Sequence, residues 1–232
     1  MLPIMPVLKR KILFLVMTVA VLLIAAPGQS QKILGAMSVG INLTQVDGDI
    51  FYGFHKVGLN VGPQIQVPFG KNKNWSVSLE LLYSQKGSYH KGSTDSTTYR
   101  LKQDYAEIPV LIRYTDKKII SAGVGFSYGQ LINYKETKNA TFDSLFTYQT
   151  GLSNSDISVI ADVSFRLWYK LWLGLRYQYS MKSNRTVLVT DPLDPKNPYT
   201  RYQYNNVISL RLTWIFNQEK IMKSSKKVDG GE

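Results

Sequence analysis

From residue 34 to residue 216 apolar and polar side chains alternate with a period of two, in eight runs. In a strand this period sends successive side chains to opposite faces, so each run reads as a strand with one greasy and one hydrophilic side. The second run sets Val57, Leu59, Val61, Ile65 and Val67 against Gly58, Asn60, Gly62, Gln64 and Gln66. The third sets Trp75, Val77, Leu79, Leu81 and Tyr83 against Ser76, Ser78, Glu80, Leu82, Ser84 and Lys86. In the fourth, Ala106, Ile108, Val110, Ile112 and Tyr114 face away from Tyr105, Glu107, Leu111 and Arg113. The connections alternate in length: 70–74, 115–118 and 169–170 are short, while 45–56, 88–98, 132–155 and 182–203 are long. A closed barrel in an outer membrane sorts its connections this way, with tight turns at one rim and surface loops at the other.

The content of the two faces favours lipid around the barrel over a soluble sheet. The polar face is rich in Gly, Ser and Asn, as the tight interior of a small barrel requires. The apolar face carries Phe69, Trp75, Tyr114, Trp214 and Phe216 near the short turns, and Tyr83, Tyr128, Tyr177 and Tyr179 near the long loops. Two such bands match the aromatic girdles of a membrane barrel. A soluble ligand-carrying barrel would turn its apolar face inward. The predicted fold is therefore all-β, an eight-stranded antiparallel up-and-down transmembrane β-barrel. Eight strands leave an interior that side chains can fill, unlike the wide lumen of a porin.

Outside the strands, Lys9, Arg10 and Lys11 precede an apolar stretch, 12–26, and Gly28-Gln29-Ser30 offers a small-residue cleavage site. This reads as a cleaved signal peptide over 1–30. The barrel would occupy 31–217, and a polar tail with Lys220, Lys223, Lys226 and Lys227 over 218–232 would hang in the periplasm. The chain has no cysteine, which excludes disulfides, thiolate metal sites, cysteine nucleophiles and a lipidated cysteine. The net charge of +12 is strongly basic. Its cations are read as spread over loops and tail: Lys56, Lys86, Lys91, Arg100, Lys102, Lys135, Lys138, Lys182 and Arg185. A nucleic-acid domain would gather them on one face, so no nucleic-acid partner is expected. A basic rim beside anionic lipid head groups suits them better.

The segments Leu79-Glu-Leu-Leu-Tyr-Ser-Gln-Lys-Gly87, Asp104-Tyr-Ala-Glu-Ile-Pro-Val-Leu-Ile-Arg-Tyr114 and Gly123-Val-Gly-Phe-Ser-Tyr-Gly129 carry a specific likeness. The chain resembles the PorT-like outer-membrane β-barrel family of Bacteroidota, over residues 34–216 in order and spacing. The resemblance implies an eight-stranded outer-membrane barrel and no particular reaction, since only a few members resemble accessory factors for protein secretion. Such barrels usually end on the aromatic of the last strand, and the tail after Phe216 departs from that pattern.

The inner-face parity collects Glu80, Glu107 and Asp162 with Arg113, Arg166, Arg176 and Arg211. Charges in a narrow lumen must be paired or hydrated. Asp162 and Arg176 form a natural pair on neighbouring strands. Glu80 and Glu107 are read as neighbours sharing Arg113 or Arg211. The set forms either a salt-bridged plug, the favoured reading, or a proton or ion path, or a paired-carboxylate acid–base site. The two histidines, His55 and His90, both fall at loop ends, and His90 shares a Gly/Ser loop with Ser88 and Asp95. A flexible loop gives such a trio no rigid support for catalysis. No cofactor motif or metal-ligand spacing is present; Asp191 and Asp194 in the proline-stiffened 191–198 loop lack calcium spacing. The expectation is a non-catalytic binding or assembly component of the envelope. It would sit in outer-membrane lipid and meet an envelope protein through its outer loops or its tail. The alternatives are a narrow solute or ion channel and a lipid-modifying enzyme.

Overall fold

A computed structural model describes residues 33–49, 53–91, 98–138, 146–191 and 194–216. The expected leader and tail lie outside the described residues. The elements are β1 (Leu34–Asp47), β2 (Lys56–Phe69), β3 (Trp75–Glu80), β4 (Leu82–Lys91), β5 (Thr98–Asp116), β6 (Ile120–Lys138), β7 (Phe146–Tyr148), β8 (Ser155–Arg166), β9 (Leu171–Ser180), β10 (Arg185–Asp191) and β11 (Asp194–Ile215).

Neighbouring strands pair antiparallel around a closed ring. Val39 of β1 faces Val61 of β2 on one side and Leu212 of β11 on the other, which shuts the sheet on itself. The ring has eight staves, because β3 and β4 form one. Both keep a single register against β2 and against β5. The break between them at Leu81 is chemical. Leu81 donates to the carbonyl of Pro63 at 3.0 Å, and proline has no N–H to complete the ladder in return.

Apolar residues of the outer face stay exposed along the staves: Val39, Ile41, Leu59, Leu79, Ile112, Val124, Phe126, Leu175 and Leu210 among them. A soluble monomer does not leave so much contiguous greasy surface bare. At the turn end Phe69 stacks on Trp75 at 6.5 Å, and Trp75 meets the edge of Tyr114 at 5.1 Å. Trp168 and Tyr169, in the tight β8–β9 turn, extend that girdle. Among the described residues no helix is long and apolar enough to cross a membrane, which says nothing against crossing by strands.

Two of the expected long loops are built differently. Their described residues 132–138, 146–148, 185–191 and 194–203 are strand: β6 runs to Lys138, and β7, β10 and the outer half of β11 form a second sheet. β6 leaves the ring through a bulge at Ile132, where Tyr105 faces Leu131 but Asp104 faces Asn133. Above it β4, β5 and β6 continue as a paired blade, since β4 accompanies β5 as far as Thr98 while β8 accompanies β6 only as far as Gln130. Ser88 and His90 also lie within paired β4, in no flexible loop, and Asp95 lies outside the described residues.

Candidate functional site

The lumen is filled in layers. At the turn end Ala36, Trp172 and Ile215 pack together with Leu34 beside them. At the hairpin end Val46, Tyr99 and Leu101 form a second apolar cluster, covered by Leu152. The charged side chains occupy the space between.

The lower group joins five residues from five strands. Arg113 of β5 grips Asp162 of β8 with both terminal nitrogens, at 2.7 and 2.8 Å. Arg176 of β9 faces Asp162 in the ladder and reaches it at 2.9 Å. Glu80 of β3 accepts from all three arginines: Arg176 at 2.7 and 3.0 Å, Arg211 at 2.8 Å and Arg113 at 3.1 Å. Serines complete the shell, Ser78 accepting from Arg113 at 3.0 Å and Ser38 from Arg211 at 2.7 Å. Glycine makes the room. A Cβ at Gly123 would sit 2.9 Å from both Arg113 Cγ and Asp162 Oδ1, and one at Gly40 would sit 2.9 Å from Arg211 Cγ.

The upper group is separate. Lys86 of β4 lies 2.5 Å from Glu107 and 3.0 Å from Asp156, with no exposed side-chain surface. Gln178 donates to Glu107 at 3.2 Å and Asn205 to Asp156 at 3.2 Å. The Lys86 ammonium also lies 5.0 Å from the centre of the Tyr105 ring.

Two assignments are thereby corrected. Glu107 does not share a cation with Glu80, because the register sets Glu107 opposite Leu82 and its cation is Lys86. Lys86, Lys56 and Arg185 are not loop charges, since all three are buried. Arg166 has the inner parity but stands at the end of β8, half-buried, and joins no ion pair among the described residues. Lys86 and Asp156 are the functional positions that the charge set omits. Both were within reach of the period-two rule, since Lys86 follows Ser84 and Asp156 precedes Ser158 on the inner face.

A third knot ties the strands beyond the ring. Arg185 of β10 donates to Glu136 at 3.0 Å, to the Tyr99 hydroxyl at 3.2 Å and to Gln203 at 3.0 Å. It also lies over the Tyr148 ring at 3.9 Å, while Tyr148 donates to Glu136 at 2.7 Å. Burial pushes the Tyr99 and Tyr148 hydroxyls well above the usual phenol range, against the opposing pull of Arg185. Burial alone would lower Arg185, but Tyr99 and Glu136 hold it above the ordinary guanidinium value.

Nothing in these groups presents a free nucleophile beside a base. His55 lies next to Gly53 just ahead of β2, and His90 of β4 faces Tyr99 of β5. Among the described residues no cluster of three or more His, Asp or Glu side chains is placed to hold a metal ion.

Residues 29–185 match the family described as Outer membrane protein beta-barrel domain. Among solved structures the chain is similar to Ail, the attachment invasion locus protein of Yersinia pestis, crystallised with the heparin analogue sucrose octasulfate. Identity there is 14% over 80% of this chain and 99% of that one, with a TM-score of 0.45. OprG from Pseudomonas aeruginosa follows at 13% identity over 79% and 94% of the two chains, with a TM-score of 0.38. Neisserial surface protein A gives 13% over 79% and 96%, with a TM-score of 0.37. No curated protein matches the chain.

Proposed function

We propose, from the premise that the chain belongs to the outer membrane protein beta-barrel domain family, that it is a non-catalytic binding or assembly component of the cell envelope. Its place is the outer membrane, integral, with lipid around the apolar wall. The single observation that carries the role is the outward continuation of the wall. β5 with β6, and β10 with β11, project past the ring as paired strands braced by the Arg185–Glu136–Tyr99–Tyr148 knot. These strands hold Ile132, Tyr134, Tyr199 and Tyr202 in solvent. Exposed aromatics on a braced backbone suit recognition, because little ordering entropy is lost on binding. The lumen groups act as a plug that holds strand register, rather than as a path or an acid–base site.

The finer reading is a PorT-like protein of Bacteroidota, exported by a leader cleaved after Ser30 and serving as an accessory to protein secretion. The strand motifs around Glu80, Glu107 and Gly125 support that placement. The tail after Phe216 would face the periplasm, where a second contact is available. Photo-crosslinking amino acids at Tyr134 and Tyr202, used in intact envelopes, test the binding role. A discrete protein adduct is expected at those two positions, with none at lipid-facing Leu210. Equal adducts at all three, or none at Tyr134 and Tyr202, would rule the role out.

A further inference from the structure

The turn-end third of the lumen carries more cation than its carboxylates balance. Arg113, Arg176 and Arg211 share Glu80 and Asp162. Arg166, facing Trp172 across the β8–β9 ladder, adds a fourth cation with no carboxylate of its own among the described residues. Below the arginines lies a cavity of about 50 Å³. Arg211, Trp172, Gly174, Ser121, Thr115 and Gln66 are in its wall. Asp162 also borders it, but both its oxygens are taken by Arg113 and Arg176.

Two N–H groups of the lining residues have no acceptor among the described residues, Nε of Arg211 and Nε1 of Trp172. Arg211 and Trp172 are only 5% and 7% exposed. Guanidinium and indole nitrogens donate and cannot accept, so the space between them calls for an acceptor. Water would satisfy the donors but not the charge, and buried uncompensated charge is costly. The ladder brings the donors together, because Arg211 faces Gly174 while Trp172 faces Thr213 one step below. Gly174 keeps the space open between Trp172 and Arg176. A Cβ there would meet nothing closer than Ser164 Cβ at 3.5 Å.

We propose that this cavity is a binding site for a small inorganic anion of halide type, held by Arg211 Nε and Trp172 Nε1. One water takes roughly 10–15 Å³ of such space, so a halide with a few waters fits and a carboxylated metabolite does not. The ion would neutralise the lower charge group from below, and the fold would then be steadier in halide than without it.

The test uses the whole mature protein in detergent, dialysed into gluconate and titrated with sodium bromide at constant ionic strength. A saturable rise in the thermal unfolding midpoint is expected. Crystals grown in bromide should show an anomalous peak within hydrogen-bond reach of both nitrogens. Trp172→Phe keeps the ring and loses the donor, and Gly174→Val fills the cavity. Each should weaken the bromide response by about tenfold or more, as loss of a hydrogen bond to a charged group implies. Heat-modifiable gel migration checks that both variants remain folded, which Arg211→Gln would not guarantee. Equal midpoints in gluconate and bromide, or water alone at the site, would overturn the proposal. So would an undiminished response in both variants, or a response to sulfate in place of bromide.

Discussion

Lys86 shows how a charge can be placed in the middle of a membrane protein. Its ammonium has no contact with solvent, yet two carboxylates and the Tyr105 ring surround it. Removing one member of a buried charge group leaves the others uncompensated, at a cost of about 3–5 kcal/mol. Lys86→Met is therefore expected to lower the unfolding free energy, read from urea titration of the barrel refolded in lipid vesicles, by that amount. Adding Glu107→Gln and Asp156→Asn to the same chain should recover most of the loss, because the neutral trio no longer holds unpaired charge. A single variant as stable as the parent would show that water already reaches the group. At this scale the sequence reading is sound on face and weak on depth. Parity alone put Glu80, Asp162, Arg113, Arg176 and Arg211 inside. Pairing depends on stagger between strands, and an alternating pattern defines stagger only to within steps of two residues. That is why Glu107 is read beside Glu80 while the ladder sets it opposite Leu82, and why Arg166 is counted with a group it does not reach.

Strand ends are where the pattern and the structure part. Within the ring one face meets lipid and the other the packed lumen, so alternation is strong. Beyond the ring β6 itself is exposed at every position from Ile132 to Lys135, and Lys135, Glu136 and Thr137 follow one another with no apolar residue among them. No alternation survives there to mark a strand, and residues 132–155 and 182–203 read as loops. What ties together β6, β7 and β10, the described strands there, is the Arg185 knot, with Val187 buried beside it. The knot has a pH signature. Tyr99 and Tyr148 are acids whose folded pKa is raised, so the folded state keeps their protons longer than the unfolded chain does. The stability they contribute is whole below the free phenol value of about 10 and falls away as pH rises beyond it. Limited proteolysis should find 132–138, 146–148 and 185–191 resistant at neutral pH and increasingly cut above about pH 10, with the ring itself intact. Tyr99→Phe combined with Tyr148→Phe should abolish that rise. A flat profile in the parent would mean that something other than the knot braces the blade.

For the molecule as a whole, the question is whether a ring of eight staves leaves a way through. Such a ring is wide enough for side chains to fill and no more. Here the filling comes in four tiers: the Ala36–Trp172–Ile215 cluster, the arginine group, the Lys86 group and the Val46–Tyr99–Leu101 cluster. A permeant ion would have to part salt bridges held from five strands and then pass two apolar layers. Purified protein in a planar bilayer is therefore expected to show no steady conductance. The informative variant is Arg211→Ala, because it removes the arginine that spans Ser38 and Glu80. If the arginine group alone closed the lumen, this change would open it. With apolar tiers above and below still in place, the variant should stay silent. Steady current through the parent, abolished by Arg211→Ala, would instead make the charged tier a conducting path and refute the plug. Silence in both leaves the outward strands as the part of the molecule that acts on its surroundings, which is where the Tyr134 and Tyr202 crosslinks look for a partner.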